Sequence, residues 1–263
     1  MKLATSIVQM IFWLATSMVA ILGYINAKRT IFQPLRTEIF KKQIEALSSA
    51  LELFVGKRSD ELAEDFDMDF GEKANIFRMY DAYLEFAFGR RRSEELREYR
   101  PELCPTAWVH ADYLSSYDAD KEDPAEEGAK VELPAKPKDW EFKDGMISVP
   151  RRYTEKEADF RAVLENPLLP AKIADLIERH LEAAHEYLSA IGPVLEECAR
   201  EMPDRYPELD DFLKSKFDWI HNRLVGYRHN EGISLSVTAK AVVDEVREYF
   251  DSDNLLPVPR RRK

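Results

Sequence analysis

The sequence predicts a mainly α-helical protein, with an N-terminal single transmembrane helix followed by a cytoplasmic helical-bundle body that carries a small β-hairpin insertion. Three observations lead to this prediction. Residues 3–25 contain no charged side chain, and as a helix they would reach ~34 Å, enough to cross the hydrocarbon core of a bilayer. Most of the remaining chain repeats apolar residues at spacings of three and four, as amphipathic helices do. Around residue 144 apolar and polar residues alternate instead, which is typical of short strands.

The uncharged segment, residues 3–25, has two interpretations besides a retained anchor. A cleaved signal peptide needs a short apolar core and small residues at the −3 and −1 positions of its cleavage site. Here the apolar run is long, and cuts after Ala20 or Ala27 would place the large residues Met18 or Ile25 at −3. A buried core helix is the other possibility, but 18 or more uncharged apolar residues favour a span. We therefore expect residues 3–25 to remain as an anchor that contacts membrane lipid.

The cations on either side of the anchor predict its orientation. Only Lys2 and the amino terminus precede the anchor, whereas five cations follow it closely. By the positive-inside rule this excess places the body in the cytoplasm, so we expect a single-pass protein of the cell membrane. The alternative is that Lys2 opens a conventional signal anchor and the body is exported. Cys104 and Cys198 fit either side, as two reduced thiols or one disulfide. The five cations after the anchor are Lys28, Arg29, Arg36, Lys41 and Lys42.

Composition bounds the function and the organisation of the chain. A net charge of −11 and a pI near 5.1 argue against broad affinity for nucleic acid. A hydrophobic content of 45% is ordinary for a globular protein, so the body can bury a sizeable core. We divide the chain into an anchor (1–27), a membrane-proximal helical region (28–100), a loop and β-hairpin linker (101–150), a C-terminal helical bundle (151–251) and a basic tail (252–263).

The membrane-proximal region begins with a heptad-like pattern of apolar residues, after Pro34, which is either a kink or the first turn of a new helix. The spacings alternate between four and three, which places the residues on one face of a helix that ends at Gly56. Because two heptads are too few to establish a coiled coil, this face either packs on its own domain or mediates self-association beside the membrane. The residues of this face are Phe40, Ile44, Leu47, Leu51 and Phe54.

Two clusters of cations are candidate contacts for lipid headgroups. Arg90, Arg91 and Arg92 follow a helix predicted over about 72–88, and they either complement its dipole or contact lipid. Four consecutive cations end the chain, and near an anionic leaflet each would contribute ~1 kcal/mol of binding. The alternative for this tail is a solvated, disordered segment. Its cations are Arg260, Arg261, Arg262 and Lys263.

The linker and the second half contain further elements. Alternation on both sides of Asp144–Gly145 predicts a tight hairpin, to which Lys130–Leu133 could add a third strand. Thr154 and Glu157 form a capping-box pattern before a helix. Helices are also predicted from Pro170 with a break at Gly192–Pro193, over about 207–227, and after a cap at Ser236. Amphipathic helices joined by short loops indicate a bundle.

Motifs for common catalytic chemistries do not stand out. The chain has no phosphate-cradling glycine loop, nucleophile elbow or zinc-type cysteine spacing, and we predict neither a metal site nor a cofactor. His180 and His185 are five residues apart, which turns them about 140° from one another on a helix. This geometry is poor for sharing a metal ion.

One stretch invites comparison with a known family. Residues 221–229 read His-Asn-Arg-Leu-Val-Gly-Tyr-Arg-His and end a predicted amphipathic helix. The stretch resembles the motif of HEPN domains, small helical bundles that often act as metal-independent ribonucleases. Their signature is an Arg, four to six residues, and a His at a helix end, and five residues separate Arg223 from His229. The resemblance implies that His229 does acid–base work on the ribose hydroxyl or leaving oxygen and that Arg223 holds the phosphate. Leu224 departs from the family pattern, which usually has a polar residue after the Arg.

Two functional hypotheses follow from these observations. The leading one is a membrane-anchored accessory, scaffold or sensor protein that acts through protein–protein contacts, with a partner protein or as a homo-oligomer, at the cytoplasmic membrane face. The alternative is a membrane-tethered ribonuclease of HEPN type, for which RNA would be the substrate. Against the alternative, Arg179 and His185 show the same spacing within a helix, and Arg223 and His229 could simply cap a helix C-terminus.

Overall fold

The computed structural model describes residues 2–90, 104–109, 140, 142, 145–216 and 218–250. Within these residues the chain is mainly helical, as the sequence predicts, and it forms nine helices and two short strands. The helices are α1 (Lys2–Glu52), α2 (Ser59–Asp65), α3 (Met68–Phe88), α4 (Arg151–Leu164), α5 (Ala171–Ser189), α6 (Ile191–Arg205), α7 (Leu209–Lys214), α8 (Asp218–Asn230) and α9 (Leu235–Tyr249), and the strands are β1 (Thr106–Val109) and β2 (Met146–Val149).

Helix α1 runs without a break for 51 residues, or about 76 Å, from the apolar segment to the body. Pro34 lies inside this helix, so the expectation that it could open a new helix is wrong. Proline removes one backbone donor, and the helical hydrogen bonds on either side of that turn carry the helix past it. The chain leaves the helix after Glu52 and turns at Gly56, whose φ of 79° is one that glycine adopts without a steric penalty.

The C-terminal end of α1 is part of the body's core. Leu47 and Phe54 are fully or almost fully buried, whereas Phe40 and Ile44 are 51% and 40% exposed. Leu51 is half-buried against the same core. The C-terminal part of this predicted apolar face therefore packs on its own domain, and its N-terminal part faces solvent.

The body is a bundle in which helix pairs share apolar faces. Helix α5 packs along α9, and α6 packs along α8. The contact face of α5 carries apolar residues at spacings of four and three, which all lie on one side of a helix. The corresponding face of α9 begins at Leu235 and ends at Val246. The buried residues of this face of α5 are Ile173, Ile177, Leu181, Ala184 and Leu188.

The predicted hairpin about Asp144–Gly145 is wrong in its pairing. Strand β2 pairs with β1, about forty residues earlier, in an antiparallel register that places Ala107 opposite Ser148. Trp140 and Phe142 are not in a strand. The proposed third strand, Lys130–Leu133, lies outside the described residues. Alternation predicts a strand correctly here, but it does not identify the partner of that strand.

Helix α3 holds the far edge of β2. The Asn75 side chain accepts a hydrogen bond from the Ser148 N–H at 2.8 Å and donates to the Ser148 carbonyl at 2.9 Å. One turn earlier, Gly71 lies so close to the chain after β2 that an added Cβ would be 2.9 Å from Pro150 Cγ. The sheet thus rests on α3 through an amide that imitates a neighbouring strand and a glycine that permits close approach.

Several predicted helix ends differ from the structure. Helix α4 begins at Arg151, so Thr154 lies inside it and donates its hydroxyl to the Arg151 carbonyl at 2.7 Å rather than capping. The predicted helix over 207–227 is divided into α7 and α8, because Ser215 is extended and its hydroxyl lies 2.6 Å from the Tyr206 hydroxyl. Helix α9 begins one residue after Ser234, so the cap position is Ser234 rather than Ser236.

Candidate functional site

The N-terminal half of α1 is the first candidate functional element. Residues Gln9–Lys28 are long and apolar enough to cross a membrane, and none of this segment is buried against the body. A signal sequence would meet the same criteria of length and composition. Large side chains such as Phe12, Trp13 and Leu14 are each more than 60% exposed. In water such a surface would be unfavourable, so the segment requires an apolar environment or partner.

A second stretch of α1, residues 29–45, connects this segment to the body and is called the stalk below. It is about 25 Å long by helical geometry. Leu35, Ile39, Phe40 and Ile44 are between 40% and 54% exposed. Four large apolar side chains on one short exposed helix are more than the scattered single residues of an ordinary surface. The stalk is therefore a candidate contact surface.

A cleft of the body with a volume of about 530 Å³ lies between α6 and α8. Arg223 lies in it, with one Nη donating to Glu201 Oε1 at 2.5 Å. Glu201 also accepts two hydrogen bonds from Arg205, whose guanidinium stacks over the Trp219 ring at 4.1 Å. Burial raises the pKa of Glu201, but its hydrogen bonds to the two arginines lower it more, so the net shift is downward. The Glu201 carboxylate therefore stays charged, and it is already hydrogen-bonded to the guanidinium groups of both Arg205 and Arg223.

His229 does not join Arg223 in this cleft. The two residues are six positions apart on α8, which turns them by about 120°, and His229 is exposed and absent from the cleft wall. The polar residues that line the cleft beside Arg223 are Glu197, Arg205, Asn222, Tyr227 and Asn230. Within one chain, the structure does not bring together the two residues of the HEPN-like motif.

A buried charge cluster connects the same helix to α3. Glu72, which is 3% exposed, accepts hydrogen bonds from Arg228 Nη1 at 2.8 Å and faces His221 Nδ1 at 2.5 Å. The Arg228 guanidinium also stacks on the Tyr187 ring at 3.6 Å and donates through Nε to the Tyr187 carbonyl at 3.2 Å. Such a pair locks α8 onto α3 because separating the charges would leave one of them buried and unpaired. Sequence reasoning missed the cluster, since Glu72 and Arg228 are 156 residues apart.

The histidines of α5 occupy different environments. His180 is fully buried among the rings of Phe54, Phe66 and Phe160, whereas His185 is exposed beside the Trp108 ring at 4.2 Å. Burial lowers the pKa of His180 to about 4. Among the residues that the structure describes, no group of three or more His, Cys, Asp or Glu is placed to hold a metal ion.

The remaining candidate residues are cations and cysteines. Arg90 is exposed just after α3, whereas Arg91, Arg92 and the tail cations Arg260, Arg261, Arg262 and Lys263 lie outside the described residues. Cys104 and Cys198 are both free thiols. Burial raises the pKa of the Cys104 thiol to about 11 and that of Cys198 to about 12, so both stay protonated and unreactive near neutral pH.

Comparisons with known proteins identify no relative: the chain matches no family, no curated protein and no solved structure.

Proposed function

We propose that this chain is a single-pass membrane-anchored protein that acts as an accessory, scaffold or sensor through protein–protein contacts at the cytoplasmic face of the membrane. The observation that supports this most is the continuity of α1. One helix carries the exposed apolar segment, Gln9–Lys28, and enters the core of the body at Ala46, Leu47 and Ala50. A helix packed into the core positions the body relative to the lipid far more firmly than a flexible linker would.

Charge supports the proposed arrangement. In residues 1–45 the cations outnumber the carboxylates by six to two, whereas the whole chain carries −11, so the body is strongly acidic. The cytoplasmic leaflet is also negative and would repel such a body at close range. The stalk of about 25 Å exceeds the Debye length of ~8 Å at physiological ionic strength, so salt screens most of this repulsion.

The stalk supports contacts with other proteins. Its exposed apolar side chains would lie in water beyond the lipid, where each gains free energy on being covered. A partner protein or another copy of the chain can supply that cover. The stalk, rather than the cleft between α6 and α8, is therefore the first surface to probe.

Membrane anchoring is tested by washing membranes that contain the full chain with alkaline carbonate. We expect the parent chain to stay in the pellet and a Leu14→Arg, Met18→Arg variant to be released, because arginine at the centre of a span costs ~3 kcal/mol per residue. A matched control carries Leu213→Arg and Val237→Arg, at exposed positions of the body, and should stay in the pellet. Release of the parent chain into the supernatant would overturn the anchor.

Protein contact and orientation are tested on the same full chain. Purified in mild detergent, it should elute as an oligomer or with a bound partner, and a bare monomer would contradict the proposed function.

Labelling of a cysteine placed at exposed Val237 should require permeabilised cells. Labelling in intact cells would show an exported body and contradict the cytoplasmic assignment.

A further inference from the structure

Helix α1 carries a second apolar seam besides the one that enters the body. Starting in the apolar segment, large apolar residues recur at spacings of three and four for four heptads, and only one position in the run is charged. That position is Lys28, at the end of the span, where a long side chain can extend its ammonium group toward lipid phosphates. The seam, called the α1 seam below, consists of Ile11, Leu14, Met18, Ile21, Ile25, Phe32, Leu35 and Ile39.

The body does not cover the α1 seam at the seven positions whose side chains the structure describes, which are all of its members except Phe32. The five residues within the span are 43–65% exposed, and Leu35 and Ile39 are 54% and 45% exposed. The other apolar face of α1 behaves differently, since Leu47 and, just beyond the end of the helix, Phe54 lie in the core of the body. The α1 seam stops at its next heptad position, Lys42, one turn before Ala46 becomes buried. The seam and the contact with the body therefore occupy successive parts of the same helix.

We propose that the α1 seam binds the α1 seam of a second copy of this chain, as a parallel two-stranded coiled coil that starts in the membrane and ends at Lys42. This inference rests on the proposed membrane anchor. Two copies inserted in the same orientation present their seams at the same depth, so the register needs no further specification. A repeat of 3.5 residues over four heptads gives a left-handed supercoil, which keeps a seam in contact along its length.

The size of the seam fits a dimer that forms only in the membrane. A covered apolar side chain removes roughly 60–120 Å² from solvent, so eight of them bury roughly 500–1,000 Å² in each copy. A stable interface buries about 800 Å² per partner, which the complete seam reaches and the stalk alone does not. Since lipid is as apolar as the side chains, the span contributes packing rather than a hydrophobic gain. Tethering in one bilayer supplies the high effective concentration that such a contact needs.

The flanking residues favour parallel pairing. In the stalk, Glu38 of one copy would lie beside Gln43 of the second copy. This combination does not oppose like charges. The outer side of the stalk carries Lys41, with the exposed apolar residues Phe40 and Ile44 beside it.

Disulfide cross-linking of the full chain in its native membranes tests the contact. Cysteine at Leu35 or Ile39 lies on the seam, and cysteine at Thr37 or Lys41 serves as the matched control, because those positions are turned to the other side of the helix. On mild oxidation we expect a species of twice the chain mass that is several-fold more abundant for the seam positions. The parent chain gives the background, which should be low because both native thiols are protonated and buried or half-buried.

Three results would overturn the inference. Equal cross-linking at seam and control positions would show that the stalks meet only by collision. A product of any mass other than twice the chain would show that another protein covers the seam. Retention in the pellet without seam-specific product would refute the self-association and leave the membrane anchor standing, whereas release by carbonate would refute the anchor itself. As a second measurement, energy transfer between labelled copies in membranes should fall several-fold with Leu35→Lys plus Ile39→Lys and stay unchanged with Thr37→Lys.

Discussion

Protonation of His180 should destabilise the body as the pH falls from about 6.5 toward 4. The His180 Nδ1 lies 2.8 Å from the Thr238 hydroxyl, which donates its own hydrogen to the Leu235 carbonyl at 3.0 Å. The hydroxyl must then accept from Nδ1–H, which leaves the proton-accepting nitrogen, Nε2, buried without a hydrogen-bond partner among the described residues. A proton added there would place a charge among aromatic rings.

The magnitude follows from the shift in pKa. Burial lowers the pKa of His180 from 6.5 to about 4 in the folded state, and each pKa unit corresponds to 1.36 kcal/mol. The neutral histidine therefore contributes about 3 kcal/mol that is present in full above pH 6.5. Below that pH the unfolded chain takes up the proton first, so the contribution declines and is lost near pH 4. Because the pKa of His180 is lower in the folded state than in the unfolded state, the free energy of unfolding rises with pH between about 4 and 6.5.

The assay is urea unfolding of the full chain in detergent, followed by tryptophan fluorescence at several pH values between 7.5 and 4.5. His180→Asn keeps a donor near the Thr238 hydroxyl but cannot titrate, so its stability should lose about 3 kcal/mol less than that of the parent across the window. His229→Asn, at an exposed position, is the matched control and should behave as the parent does. Parallel pH profiles for the parent and His180→Asn would refute the assignment.

Three further substitutions test how α3 holds the body together. Gly71→Ala should lower the free energy of unfolding by about 1–3 kcal/mol through overpacking, whereas Gly226→Ala, where a Cβ meets nothing within 4 Å, should leave it unchanged or raise it. Glu72→Gln should cost about 3–5 kcal/mol because it leaves a buried guanidinium without its carboxylate partner. Removing the partly exposed carboxylate of Glu157, whose partner Arg161 is exposed, should cost under about 1 kcal/mol. Asn75→Ala should speed hydrogen exchange at the Ser148 backbone amide, which now donates to the Asn75 side chain. Unchanged exchange at Ser148 would contradict the role of Asn75 at the sheet.

The sequence predicted most of the helices because helix formation depends mainly on residues that are close together in the chain. Helix α3 carries apolar residues that repeat at helical spacing, and it ends at Gly89 with a positive φ of 60°. Both features depend only on residues within a few turns of one another. The same reasoning placed the helix that became α5 within one or two residues of its observed start.

Contacts between distant residues account for what the sequence did not predict. The partner of β2 lies forty residues earlier, and the amide that covers its other edge belongs to Asn75, 73 residues away. The ion pair of Glu72 with Arg228 is just as remote, and Arg228 lies in the stretch that suggested the HEPN-like motif. The HEPN-like spacing within residues 221–229 selected Arg223 and His229 as site candidates. The cation of this stretch that is buried and paired is Arg228.

The two apolar faces of α1 show why periodicity alone cannot assign a partner. Both faces repeat at spacings of four and three, and from the sequence the one that begins at Phe40 was the candidate for self-association. Burial separates them, because Leu47 and Phe54 are covered by the body while Leu35 and Ile39 are not. A side chain already packed in its own core cannot also be the contact for a second copy without unfolding that core. Self-association of α1 must therefore use residues that the body leaves exposed, which are Leu35 and Ile39 of the proposed α1 seam and also Phe40 and Ile44 at the start of the other face.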